Sequence, residues 1–170
     1  VTLTKPFYIG VFECTQRQWE LAMGTRPSAF SNETCYATRP VETILYADVR
    51  GGLNGALWPL SSEVDAGSFL GTLRAKTGSV EFDLPTEAQW EYACRAGTTT
   101  GLNSGMDVPT KDALSEEVNA VARYGYNSGL LANLSGETIW PAGFGDSDTS
   151  KGTAKVGTYQ CNRWGLYDMH

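Results

Sequence analysis

Two stretches of the chain combine a helix-start signal with apolar residues spaced three and four apart. In the first, Thr15 and Gln18 form a capping box, in which each side chain binds a backbone amide in the first turn of a helix. Gly24 supplies the stop signal, because glycine adopts the left-handed conformation that ends helices. The pattern predicts a short amphipathic helix over 15–24, whose buried stripe consists of Trp19, Ala22 and Met23.

The second stretch opens with Thr86 and Gln89, which repeat the capping box, and it runs to a stop signal at Gly97. Its predicted buried stripe is Trp90, Ala93 and Cys94. A third helix is predicted from Asp65, taken as its N-cap, to Gly78. The core-facing positions of this third helix are Ala66, Phe69, Leu70 and Leu73.

Shorter apolar runs predict strands. Val80, Phe82 and Leu84 alternate with two acidic residues, which is the period of a half-buried strand. Weaker patterns predict short helices at 46–50 and 112–118, and most of 98–119 and 127–153 has the polar, glycine-rich composition of loops. The predicted strands cover 7–12, 80–84, 121–126 and 155–159.

Composition narrows the function classes. The 170 residues hold 13 basic and 19 acidic side chains, which gives a net charge of −6. With no basic cluster, the chain does not suit nucleic acid, whose binding depends on neutralising phosphates. No apolar run approaches the roughly 18 residues of a membrane span. Nothing in the sequence decides the compartment.

Histidine and cysteine usage limits the chemistry further. The single histidine is His170, which leaves no basis for serine–histidine–aspartate catalysis or a histidine-rich zinc site inside the chain. The cysteines are Cys14, Cys35, Cys94 and Cys161, and none of them forms a CxxC pair. Two disulfides in three connectivities and four free thiols are both open at this point.

Some side chains with functional potential have a simpler structural interpretation. Glu87 and Glu91 lie four residues apart on one predicted helix, but Glu87 suits the positive N-terminus and Glu91 can pair with Arg95. Trp90 is expected in the core because of its helical spacing. Trp164 is also expected in the core, as is Tyr167.

Three segments taken in order resemble the formylglycine-generating enzyme family, also called sulfatase-modifying factor domains. They are 85–93 (PTEAQWEYA), 153–157 (TAKVG) and 162–169 (NRWGLYDM). The resemblance implies an α+β, C-type-lectin-like fold, loop-rich with short strands and two or three helices. The whole chain, 1–170, would form one such domain.

The chain also differs from the enzymes of this family in its cysteines. The family's enzymes oxidise a sulfatase cysteine to formylglycine, and their copper-binding cysteine pair lies in a last third that would follow residue 170. None of the four cysteines here matches that pair. We therefore expect an incomplete domain that is inactive alone. The alternative is a non-catalytic, lectin-like module for ligand binding or display.

The family also implies a structural calcium ion, which prefers oxygen ligands. Its ligands here would be Asn127, Ser128, Asp148 and Ser150, with Asp146 as an alternative. Copper is expected only in a complete family member. The implied partner is a sulfatase or another polypeptide, and an incomplete domain is expected to self-associate or to be completed by a second chain.

Overall fold

The computed structural model describes residues 2–108, 115–124, 127–128 and 152–170, together with the backbone of 131–132 and 138–139. Five α-helices lie in this part of the chain: α1 (Gln16–Met23), α2 (Tyr46–Arg50), α3 (Phe69–Thr77), α4 (Glu87–Arg95) and α5 (Glu116–Asn119). Two 3₁₀ turns lie at Tyr36–Thr38 and Asn54–Leu57, and two short strands are β1 (Leu131–Ala132) and β2 (Thr138–Ile139).

The predicted capping boxes start α1 and α4. The Thr15 hydroxyl accepts from the Gln18 amide at 3.2 Å, and the Gln18 side chain accepts from the Thr15 amide at 2.8 Å. Thr86 and Gln89 repeat this arrangement at the start of α4. Gly24 ends α1 with a φ of 71°, which confirms the predicted stop signal.

The predicted start of the third helix is wrong. Ser68, not Asp65, caps α3, and its hydroxyl accepts from the Gly71 amide at 3.2 Å. Asp65 instead accepts from the amides of Leu53 and Asn54, at 3.1 and 2.9 Å. Its carboxylate therefore holds the preceding loop, and the helix starts three residues later. The predicted stop at Gly78 is confirmed by a φ of 71°.

The prediction of an α+β, C-type-lectin-like fold with short strands is wrong for the described residues. Segments 7–12, 80–84, 121–124 and 155–159 contain no strand. The strand pairing between β1 and β2 is antiparallel and two residues long, with Leu131 opposite Ile139. An alternating pattern becomes a strand only when a partner backbone pairs along it, and in the described residues these segments make only isolated backbone contacts, such as that of the Val11 carbonyl with the Tyr167 amide. Helices and loops make up the architecture instead.

Apolar packing is divided among small clusters. The Trp19 and Phe69 rings stack at 4.9 Å and join α1 to α3. Ala93 and Cys94 of α4 pack with Leu166 and Met169, and a separate cluster joins Leu102, Val121 and Ala122.

Buried Asn162 links α4 to the C-terminal segment. Its Nδ2 donates to the Ala93 carbonyl at 2.7 Å, and its Oδ1 accepts from the Trp164 amide at 2.9 Å. A helix-end carbonyl that would otherwise lack a partner is thereby satisfied.

A buried ion network joins α2, α3 and the segment before α4. Arg50 is fully buried, and its Nε and Nη2 contact the two Asp83 carboxylate oxygens at 2.7 and 3.0 Å. Arg74 of α3 reaches the same carboxylate at 2.9 Å. Arg50 also donates to the carbonyls of Gly55, Ser61 and Glu63. One carboxylate therefore serves two guanidinium groups inside the protein.

Replacing Asp83 by asparagine should lower the free energy of unfolding by about 3 kcal/mol or more, because it leaves the buried Arg50 charge without a counter-charge. Urea unfolding followed by circular dichroism measures this. Glu81→Gln is the matched control, since Glu81 is exposed and makes no ion pair in the described residues; it should change stability by less than about 0.5 kcal/mol. Equal stability of the two variants would contradict the role given to Asp83.

Candidate functional site

The four thiols are free and lie at separate places in the fold. Cys35 and Cys94 are buried, while Cys14 and Cys161 are half-buried. Cys94 on α4 donates to the Met169 carbonyl at 3.1 Å, and Cys14, just before α1, lies 3.8 Å from the Thr15 carbonyl. Of the alternatives left open by the sequence, four free thiols is the one that the structure supports.

Two of these thiols are held in their protonated form. Burial raises the pKa of the Cys14 thiol to about 11. Burial also raises the pKa of Cys94, with a smaller contribution from Glu91 that Arg95 opposes. A cysteine attacks a substrate or binds a metal ion as the thiolate. Neither Cys14 nor Cys94 is therefore suited to these roles at neutral pH. The described residues also contain no group of three histidine, cysteine or acidic side chains that could hold a metal ion. They do not fit a copper centre built on paired cysteines.

His170 lies beside Cys94 without activating it. The imidazole Nε2 accepts from the Asn103 amide at 2.9 Å and lies 3.9 Å from the Cys94 sulfur. Partial burial lowers the pKa of His170, and the nearby Arg95 cation lowers it further, against a smaller opposite effect of Glu91. A neutral ring that accepts a hydrogen bond fixes the loop at Asn103 against the C-terminal segment.

A cavity of about 400 Å³ lies next to His170 and is also lined by Glu13 and Asp168. Asp168 accepts from the Gly157 amide at 2.6 Å, and burial raises the pKa of its carboxyl group in spite of that hydrogen bond. Arg123 and Lys155 line the same cavity, so it combines both signs of charge.

Only part of the predicted calcium site lies in the described residues. Asn127 closes a turn: its Oδ1 accepts from the Tyr124 amide at 2.8 Å, and its Nδ2 donates to Asn119 and to the Ala122 carbonyl. The Ser128 carbonyl accepts from the Gly152 amide at 2.8 Å. Each of these two oxygens accepts a hydrogen bond within or beside the turn.

The acidic part of that predicted site cannot be placed. Asp148 and Ser150 lie outside the described residues, as does the alternative ligand Asp146. The calcium site therefore stays a prediction.

An open cleft lies between the N-terminal segment and α4. It measures about 1140 Å³ and is lined by residues 2–7, by the outer face of α4, and by Trp164 and Leu166. The rings of Phe7 and Tyr92 lie 6.5 Å apart, and those of Tyr92 and Trp164 lie 5.0 Å apart. Three aromatic side chains thus follow one another along the cleft.

The sequence missed this aromatic surface. Trp164 was expected in the core but is 49% exposed, and Trp90 is 39% exposed. Burial on α4 is complete only at Ala93 and Cys94. The exposure of Tyr92 could have been predicted, because the helical period places this residue away from the stripe of Trp90, Ala93 and Cys94. The predicted pair of Glu91 with Arg95 is confirmed at 2.7 Å.

Together these features define a loop-rich scaffold with an open aromatic cleft and, in its described part, four free thiols, two of them buried. The chain belongs to the sulfatase-modifying factor family: it matches the Sulfatase-modifying factor enzyme 1-like domain over residues 1–170. The resemblance inferred from three short motifs is thereby confirmed.

One relative adds a second point of comparison. A protein of Paenibacillus barcinonensis named "Chaperone protein LppX" is 31% identical over 186 aligned residues, which cover 99% of this chain. The chain spans 60% of the length of that relative. No solved structure matches the chain. Among the described residues, no helix is long and apolar enough to cross a membrane.

The imidazole of His170 should titrate below its ordinary pKa of about 6.5, because burial and Arg95 disfavour its protonation. As the folded pKa is the lower one, the unfolded chain binds this proton more tightly, so His170 lowers stability as the pH falls below about 6.5. The single histidine gives a single NMR titration curve. Arg95→Gln should raise its midpoint, and Arg163→Gln should leave it unchanged. A wild-type midpoint at or above 6.5 would contradict this description of the site.

Proposed function

We propose that this chain is the polypeptide-binding scaffold of a sulfatase-modifying-factor-type protein, and that its own four thiols take no part in cysteine oxidation. The state of these thiols carries the proposal. They are free and separate, Cys35 and Cys94 are buried, and the pKa of Cys14 is raised to about 11. A copper-binding pair needs two thiolates that converge on one ion, and these positions supply none.

The proposal assigns recognition and chemistry to different parts of a longer protein. The family resemblance implies that a complete member oxidises a sulfatase cysteine, and the chain spans 60% of the length of its relative. Within these 170 residues, the supporting features for recognition are the open cleft and its exposed aromatic rings. The scaffold would present a sulfatase segment to a reactive centre elsewhere.

A non-catalytic protein that assists folding is the second candidate. It is favoured by the printed name of the relative, which describes a chaperone. The two candidates differ in their product. An enzyme leaves an aldehyde on the sulfatase, whereas a folding assistant reduces light scattering when an unfolded sulfatase is diluted from denaturant and leaves no aldehyde.

We also propose that Asn127 and Ser128 contribute oxygen ligands to a structural calcium ion, with Asp148 supplying the negative charge. The support is the position of these two oxygens in one turn, together with the family resemblance. The ion would tie the turn at Asn127 to the segment of the chain that contains Asp148.

Calcium at millimolar concentration should raise the melting temperature relative to the same sample in EDTA, because an ion bound by the folded state alone stabilises it. Asp148→Asn should remove most of this difference by removing the ligand charge. Asp107→Asn, in another loop, is the matched control and should keep it. A melting temperature that calcium does not change, measured by scanning calorimetry, would exclude the proposed ion.

The chain should bind a peptide with the sequence pattern Cys-x-Pro-x-Arg without converting it. Fluorescence anisotropy measures the binding, and an aldehyde-reactive probe measures the product after incubation with copper(I) and oxygen. We expect no aldehyde above the level of peptide with copper alone, both for this chain and for a matched variant with serine at all four cysteine positions. Aldehyde formation that is lost in the serine variant would overturn the proposal, and so would a failure to bind the peptide.

A further inference from the structure

The loop after α2 exposes three leucines on an uncharged segment of the chain. Leu53, Leu57 and Leu60 are 82%, 59% and 93% exposed. Leu53 and Leu57 lie at the two ends of one 3₁₀ turn, and the Leu60 amide donates to the Leu57 carbonyl at 2.7 Å in the next turn. No residue of segment 51–62 is charged, and we call this segment the leucine loop. Single exposed leucines are ordinary on protein surfaces, whereas three in one uncharged loop indicate contact with an apolar partner.

Contacts with the rest of the protein fix the conformation of the leucine loop. Arg50 donates to the Gly55 carbonyl, and its guanidinium group lies 4.7 Å from the centre of the Trp58 ring. The Asp65 carboxylate accepts from the Leu53 amide at 3.1 Å. Because the loop is fixed in this way, its leucine side chains are held in water at a cost that contact with an apolar surface would remove.

The backbone groups of the loop are already engaged within the protein, which favours lipid over polypeptide as the partner. The Leu57 carbonyl accepts from the amides of Leu60 and Ser61, and the Gly55 carbonyl also accepts from the Tyr46 hydroxyl at 3.0 Å. A protein interface usually contains about one hydrogen bond per 100–200 Å², for which this loop offers few groups. Hydrocarbon offers no hydrogen bonds, so a loop that enters it needs backbone groups that are bonded internally.

The charge of the chain selects the kind of lipid surface. The charged residues nearest to the leucine loop in the sequence are Arg50, which is buried, and Glu63. The chain as a whole carries a net charge of −6. An anionic bilayer repels an acidic protein, whereas zwitterionic headgroups carry no net charge and do not oppose its approach. An uncharged, aliphatic loop on an acidic chain therefore complements a zwitterionic bilayer.

We propose that the leucine loop inserts Leu53, Leu57 and Leu60 into the surface of a bilayer of zwitterionic lipids. The chain then lies on the membrane and does not span it, because only this loop enters the lipid. The loop shares no residue with the lining of the cleft between the N-terminal segment and α4. The proposal goes beyond the proposed function and does not rest on it.

Flotation with phosphatidylcholine vesicles tests the contact. We expect the chain to float with these vesicles at low salt and equally in about 0.5 M NaCl, because salt screens ion pairs but not apolar contacts. Replacing part of the lipid by phosphatidylserine should weaken the binding at low salt, since the acidic chain is repelled. No flotation with phosphatidylcholine, release by salt, or stronger binding to the phosphatidylserine vesicles would overturn the proposal.

A pair of double variants tests the location. Leu53→Ser with Leu60→Ser should lower the partition into phosphatidylcholine vesicles by about tenfold or more, because two of the three inserted aliphatic side chains are lost. Leu21→Ser with Val80→Ser is the matched control, since these side chains are 61% and 70% exposed in other segments, and it should leave the partition unchanged. Equal losses in the two double variants would contradict the role given to the leucine loop.

Single substitutions at Leu60 keep the test independent of folding, because this side chain is 93% exposed. Leu60→Asp should release the chain from the vesicles, whereas Leu60→Phe should retain it. Light scattering without lipid should give the same mass for the wild type and for Leu60→Asp. A dimer that Leu60→Asp dissociates would assign the loop to a second copy of the chain and would overturn the proposal, as would equal flotation of the two Leu60 variants.

Discussion

The Arg50–Asp83 ion pair is the interaction on which the described architecture depends most. A guanidinium group has five N–H donors in a rigid plane, and Arg50 uses them on a carboxylate and on carbonyls of the loop between α2 and α3. Those carbonyls have no sheet to pair with, so that the buried cation replaces the hydrogen bonds that a strand partner would otherwise make. Arg74 brings α3 to the same carboxylate and completes the junction.

The same principle extends to the rest of the fold. The apolar clusters are small, and polar side chains join the segments between them. Asn162 fixes the C-terminal segment on the end of α4, and Gln16 donates to the carbonyls of Phe30 and Pro40 near the start of α1. Because Asn162 also binds the Trp164 amide, this junction holds the Trp164 ring over α4. The cleft therefore depends on a polar contact more than on a continuous core.

What could be predicted from the sequence was the local part of the structure. A capping box such as Thr15 with Gln18 needs only residues within one helical turn, and it was predicted correctly twice. Strand 7–12 was wrong, because its pairing depends on backbone far away in the chain. The prediction that Asp65 caps α3 was wrong for a similar reason. Asp65 accepts hydrogen bonds from amides about twelve residues earlier, and no periodic pattern in the sequence predicts such a loop contact.

The candidate site shows the same division between local and distant information. The motifs containing Tyr92 and Trp164 were sufficient to identify the family, but not the contact between the two rings, which are far apart in sequence. The thiols illustrate the converse. The spacing of the cysteines in the sequence did not distinguish disulfides from free thiols. The structure shows that the Cys94 thiol is free, buried and hydrogen-bonded to the Met169 carbonyl. Cys94 is therefore part of the packing that supports the fold, whereas the rings of Tyr92 and Trp164 are left exposed at the surface.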